Sequence, residues 1–110
     1  MTYGKLWKPE SMPNKYSLSR RADKHIEGIF EHSYRNFGLE QALEYKAGLD
    51  HCLQLIADNP NLGRRCDDIR EGYQRHEYGR HVIFYRKRAH DVFITAIIHE
   101  SRDVKRLLNK

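Results

Sequence analysis

The sequence has few of the residues that usually announce a chemistry. There are two cysteines among its 110 residues, and neither Cys52 nor Cys66 has a Cys or His neighbour at metal-ligand spacing. Seven histidines are present, but none forms a ligand pair, so no zinc or other metal site is expected. There is no glycine-rich phosphate loop and no serine elbow, which removes the common nucleotide-hydrolysis and acyl-transfer signatures. No apolar run approaches the roughly 18–20 residues that a membrane helix needs. Repeats and low-complexity segments are absent. The Met1–Pro9 stretch lacks the apolar centre of a signal peptide, so a cytoplasmic protein is expected, with no cofactor and no membrane contact. In a reducing compartment a Cys52–Cys66 disulfide is not expected.

What is present is charge, unevenly placed. Lys and Arg number 20 against 15 Asp and Glu, a net charge of +5. Residues 1–63 hold eight basic and eight acidic residues, while residues 64–110 hold twelve against seven, so the whole excess lies in the second half. Such asymmetry fits an acidic partner, either nucleic acid or an acidic protein segment, and it also fits a solvated basic face.

That second half carries the clearest structural signal. Tyr73–Tyr78, His81–Lys87 and Val92–His99 read as three strands joined by Gly79-Arg80 and by Arg88–Asp91, an antiparallel meander. Val92–Ile98 is apolar at almost every position, so this strand is expected to be covered on both faces. Upstream, Lys15–Ser19 alternates like a short edge strand. Ser19 then suits a helix N-cap, and Ala22, Ile26, Ile29, Phe30, Ser33 and Phe37 recur at helical spacing. Gly38 suits a helix C-terminus. A second helix over Leu39–Asp58 carries the stripe Leu39, Ala42, Tyr45, Leu49, Cys52, Leu53 and Ile56, and Asn59-Pro60 ends it. So short a joint forces the two helices antiparallel. The 61–68 segment reads as a polar loop. Ser101 or Glu100 can start a short last helix with Val104, Leu107 and Leu108 as its apolar edge. The expected fold is α+β in the order β-α-α-β-β-β with a short C-terminal α: a helical hairpin on a small, mainly antiparallel sheet. Residues 1–14 are read as an extension and 15–110 as one domain.

Six stretches in this order resemble the ParE branch of the RelE/ParE toxin superfamily of bacterial toxin–antitoxin modules. They are Tyr16–Ser19 with Ala22-Asp23, Phe37-Gly38 with Gln41-Ala42, Asn59–Arg64, Asp68–Tyr73, His81–Arg86 and Ile98–Asp103. The resemblance implies a plasmid-stabilisation type of toxin held inactive by a cognate ParD-like antitoxin in a hetero-oligomeric complex. Members of the ParE branch inhibit DNA gyrase, whereas members of the RelE branch cut mRNA on the ribosome. The fold alone does not choose between them.

RNA cleavage through the 2′-hydroxyl needs a base, a cation beside the phosphate and an acid for the leaving oxygen. The RelE set of sheet lysine and arginine with a late Tyr or His looks absent: Lys87 is the lone meander lysine and no Tyr follows Tyr85. His81 or His99 with Arg75 and Arg86 is the nearest improvised set. No catalytic residue is therefore assigned, and a partner-binding surface of Arg70, Arg75, His81, Tyr85, Arg86, His99, Arg102, Val104, Leu107 and Leu108 is expected instead. A structural reading of His81 and His99 as turn-bonded histidines, and of Tyr73, Tyr78 and Tyr85 as sheet packing, stands beside it. Three functions remain open: a gyrase-binding toxin, a ribosome-dependent endoribonuclease, and a non-toxic partner module.

Overall fold

Ser19 converts an extended segment into a helix. The computed structural model describes residues 15–102. In it the Ser19 hydroxyl accepts a 2.9 Å bond from the Ala22 amide and donates one of 2.9 Å to the Thr95 carbonyl. One side chain thus caps α1 (Arg20–Phe37) and pins it to the sheet. Before it lies β1 (Tyr16–Leu18). Gly38, at φ 94°, is the joint to α2 (Leu39–Asp58), and its amide closes α1 by donating to the Tyr34 carbonyl. β2 (Arg64–Arg65), β3 (Gln74–Tyr78), β4 (His81–Lys87) and β5 (Val92–His99) follow. Gly79, at φ 57°, takes the first central place of the β3–β4 turn, where a two-residue hairpin needs positive φ.

The sheet order is β1-β5-β4-β3-β2. All neighbours are antiparallel except β1, which runs parallel to β5 with Leu18 opposite Ile94. Arg64 and Arg65, expected in a loop, instead pair with Arg75 and Gln74. Two exposed arginines carry no periodicity, and their pairing comes from the close passage of Gly63 beneath β3 and β4.

β5 solves the problem of being apolar on both faces with a bulge. Phe84 pairs with Ala96 and Tyr85 with Ile94, leaving Thr95 as the extra residue, and its hydroxyl donates to the Phe84 carbonyl at 3.0 Å. The bulge switches the parity of the strand. Val92, Ile94 and Ile97 join Ile83 and Tyr85 under the helices, against Ala22, Ile26, Leu49, Leu53 and Ile56. Ala96 and Ile98 join Val82, Phe84, Tyr73 and Cys66 on the opposite face. Each fully buried aliphatic side chain contributes about 1.5–3 kcal/mol. Both cysteines are buried and free.

The apolar helix stripes outrun the sheet they cover. Phe37 is 60% exposed and Leu39 is 54% exposed, contrary to their expected core placement; the two flank the helix joint at Gly38. Glu100 and Ser101 form a turn after β5. The extension at 1–14 and the terminal helix with Val104, Leu107 and Leu108 lie outside the described residues.

Candidate functional site

The sheet separates two groups of polar residues that the sequence placed together. On the face away from the helices, Arg75 lies over the Phe84 ring at 5.5 Å and Arg86 over the Phe93 ring at 5.3 Å. Arg70, Arg86 and Phe93 line one hollow there with Arg20 and Arg21 at the start of α1. Arg88 also stacks on Phe93, at 4.3 Å, but a two-pronged 2.7 Å pairing with Asp91 neutralises it. Arg64 is likewise paired with Glu77 and Arg65 with Asp67. Among the described residues Arg86 has no ion pair, so its charge is the best placed to act on a partner. Arg75 reaches Glu77 only at 3.8 Å, and its Nε is buried without a hydrogen-bond acceptor.

On the helix side, His81 and His99 sit opposite each other across β4 and β5, their rings edge-on at 5.3 Å. They open into a cleft of about 880 Å³ between the sheet end and α1. His25, His32, Tyr45, Arg21, Arg80 and Arg102 line it as well. His81 Nδ1 lies 2.9 Å from the Tyr45 hydroxyl, which donates to the Tyr78 carbonyl at 3.2 Å. Burial lowers the pKa of His81, and the neighbouring His99 and His32 lower it further. Burial also lowers that of His25, with Arg21 and Arg102 adding to the effect. Burial raises the Tyr45 phenol. His25 and His81 therefore rest neutral at physiological pH.

Tyr85 is not a surface residue at all. It is 0% exposed, and its hydroxyl donates to the Pro60 carbonyl and accepts from the Gly63 amide, each at 2.8 Å. No partner docking on the folded chain reaches it. Of the other expected contact residues, Arg70, Arg75 and Arg86 share one face, while His81, His99 and Arg102 share the other. His25, His32 and Tyr45 were not singled out for the site from sequence. The usable signal was His25, Ile29 and His32 at spacings of four and three, which puts two histidines on one helix stripe.

This frame of two helices on a five-stranded sheet, with β1 parallel to β5, has counterparts among known proteins. A family model for the ParE toxin of type II toxin–antitoxin systems, parDE, matches residues 16–104. The chain belongs to the ParE toxin family. Toxin ParE1 of Mycobacterium tuberculosis H37Rv is 37% identical over 98 residues, covering 88% of this chain and all of that one. Toxin ParE1 of Caulobacter vibrioides is 36% identical over 90 residues, covering 82% of this chain and 93% of the other. A chain of the chromosomal ParDE system from P. aeruginosa superposes with a TM-score of 0.69 at 17% identity, over 83% of this chain and 98% of that one. The ParE frame explains why Asp68–Tyr73, His81–Arg86 and the end of β5 carried the resemblance. They build the β2–β3 return, the central strand and the rim of the cleft.

Proposed function

We propose that this ParE-family chain acts by binding DNA gyrase and stalling it in the cytoplasm, and that a ParD-like antitoxin holds it inactive in a hetero-oligomeric complex. The observation that supports binding over RNA cleavage is the split across the sheet. Arg75 and Arg86 face one side, while His81 and His99 face the other beneath the helix hairpin. A strand layer keeps Arg75 and Arg86 from acting on one phosphate together with His81 and His99. The set nearest to the RelE one is therefore not assembled, since general acid–base catalysis requires reach within about one hydrogen bond. The cations on the histidine side are Arg21, Arg80 and Arg102. A binding toxin needs only surface. Exposed Tyr34, Phe37, Leu39 and Leu43 around the helix joint offer apolar area for an antitoxin segment that folds on contact. The arginine face offers charge to steer an acidic partner.

The deciding experiment is a gyrase supercoiling assay with purified chain, with and without a ParD-like antitoxin. Inhibition with trapped cleaved DNA, relieved by antitoxin, is the expected result. Unimpaired supercoiling by folded protein, together with mRNA cleavage on programmed ribosomes, would replace this reading with the endoribonuclease one.

A further inference from the structure

The helix-side cleft has features that docking to gyrase or to an antitoxin does not require. Its volume of about 880 Å³ falls within the range of small-molecule sites, roughly 300–1,000 Å³. Arg21, Arg80 and Arg102 line it together with four histidines, and among the described residues no carboxylate does. The nearby Glu100 is held by Arg80 at 2.7 Å.

The histidine tautomers are set by the backbone. His25 Nδ1 accepts the Ile97 amide at 3.1 Å, and His99 Nδ1 accepts the Ser101 amide at 3.1 Å. A neutral ring whose Nδ1 accepts must carry its proton on Nε2. Protonating Nδ1 would set donor against donor, which agrees with the lowered pKa of half-buried His25. His25 and His99 therefore each present an Nε2–H donor in a cleft that already holds guanidinium groups. The two Nε2–H donors, beside these guanidinium groups, suit an anion with several oxygens. The lining also holds the apolar and aromatic Ile29, Phe37 and Tyr45, with Ser33, Gln41 and Ser101 as further polar groups. A lone inorganic anion would leave most of this volume unfilled.

We propose that this cleft binds a nucleoside phosphate. The phosphate meets His25, His99, Arg21 and Arg102, and the base lies against Ile29, Phe37 and Tyr45. The site is independent of gyrase inhibition. The nucleotide comes either free or as part of a single-stranded nucleic acid, and both carry the same recognised chemistry.

The test is a titration of the full-length chain followed through its histidine ring nitrogens by NMR, using AMP, adenosine, inorganic phosphate and a short single-stranded oligonucleotide. AMP is expected to shift Nε2 of His25 and His99, with adenosine and inorganic phosphate each binding at least about tenfold more weakly. Tighter binding of the oligonucleotide than of AMP assigns the source to a strand, and the reverse assigns it to free nucleotide. Arg102→Ala, at an exposed position, should weaken AMP about tenfold with an unchanged melting temperature. His99→Gln should do the same. Histidine resonances unmoved by AMP and by the oligonucleotide, or shifts indifferent to Arg102→Ala, overturn the proposal. Because binding is read on the isolated chain, that failure would leave the gyrase reading untouched.

Discussion

The Tyr85 hydroxyl donates a 2.8 Å hydrogen bond to the Pro60 carbonyl, tying the central strand to the end of α2. The same oxygen accepts the Gly63 amide, and the Gln74 side-chain amide approaches it at 3.4 Å. Burial raises the phenol pKa, so the group stays neutral and keeps its donor. Tyr85→Phe removes one oxygen, leaves the half-buried Gly63 amide without its acceptor, and leaves the buried Pro60 carbonyl with only the 3.1 Å bond from the Gln74 side-chain amide. The expected loss is about 1.5–3 kcal/mol, read as a lower urea midpoint with an unchanged slope. A loss of toxicity without any loss of stability would show that the hydroxyl has a role at a surface after all.

Gly63 lies where that anchor meets the sheet. A Cβ there would come within 2.6 Å of both the Arg75 carbonyl oxygen and the Tyr85 hydroxyl. Neither yields cheaply, since one is strand backbone and the other a fully buried ring. Gly63→Ala should cost about 1–3 kcal/mol through overpacking and should loosen the β2–β3 pairing first. Faster amide exchange at Arg65 and Gln74 than at Ile83 would report this.

Periodicity made the long elements legible. The β4 and β5 boundaries and the span of α2 follow directly from apolar patterning and from Asn59-Pro60. Three features were not legible, each for its own reason. The β1–β5 pairing is parallel, and alternation over three residues says nothing about direction. The Thr95 bulge was hidden because every residue around it is apolar, so a change of parity leaves the pattern looking the same. The cleft joins Tyr45 to His81 and His25 to Ile97 through contacts between residues 36 or more apart in sequence, and local spacing carries no such information. Tyr85 stands in the sequence both among the expected contact residues and among the sheet-packing tyrosines, and its complete burial decides for packing.

Asp91 supplies a stability term with a defined pH window. Hydrogen bonds from Arg88 and from the Ser17 hydroxyl, the latter at 2.6 Å, hold its carboxyl down at about 2. The unfolded chain binds that proton at a higher pH than the folded one. The contribution is therefore complete above about pH 4 and is lost as pH falls toward 2. With partial solvent screening it amounts to on the order of 1 kcal/mol. Asp91→Asn should flatten the acid limb of the stability curve, and Ser17→Ala should shift that limb upward by a smaller amount. An identical acid limb in wild type and Asp91→Asn would remove Asp91 as its source.

The arginine face yields the sharpest test of partner electrostatics. Arg75 is best left in place for this purpose, since it is half-buried over Phe84 and its replacement disturbs packing as well as charge. Arg70 and Arg86 are exposed, and Arg86 has no ion pair among the described residues. Reversing both, Arg70→Glu with Arg86→Glu, should slow association with an acidic antitoxin about 10–100-fold at low salt while changing dissociation far less. The wild-type rate should fall as salt rises, because exposed charges are screened beyond about 10 Å at 0.1 M. The doubly reversed chain should show the opposite or no dependence. Equal association rates for the two chains at every salt concentration would mean that the basic face is solvated surface, and that the antitoxin is held by the apolar residues of the helix joint alone.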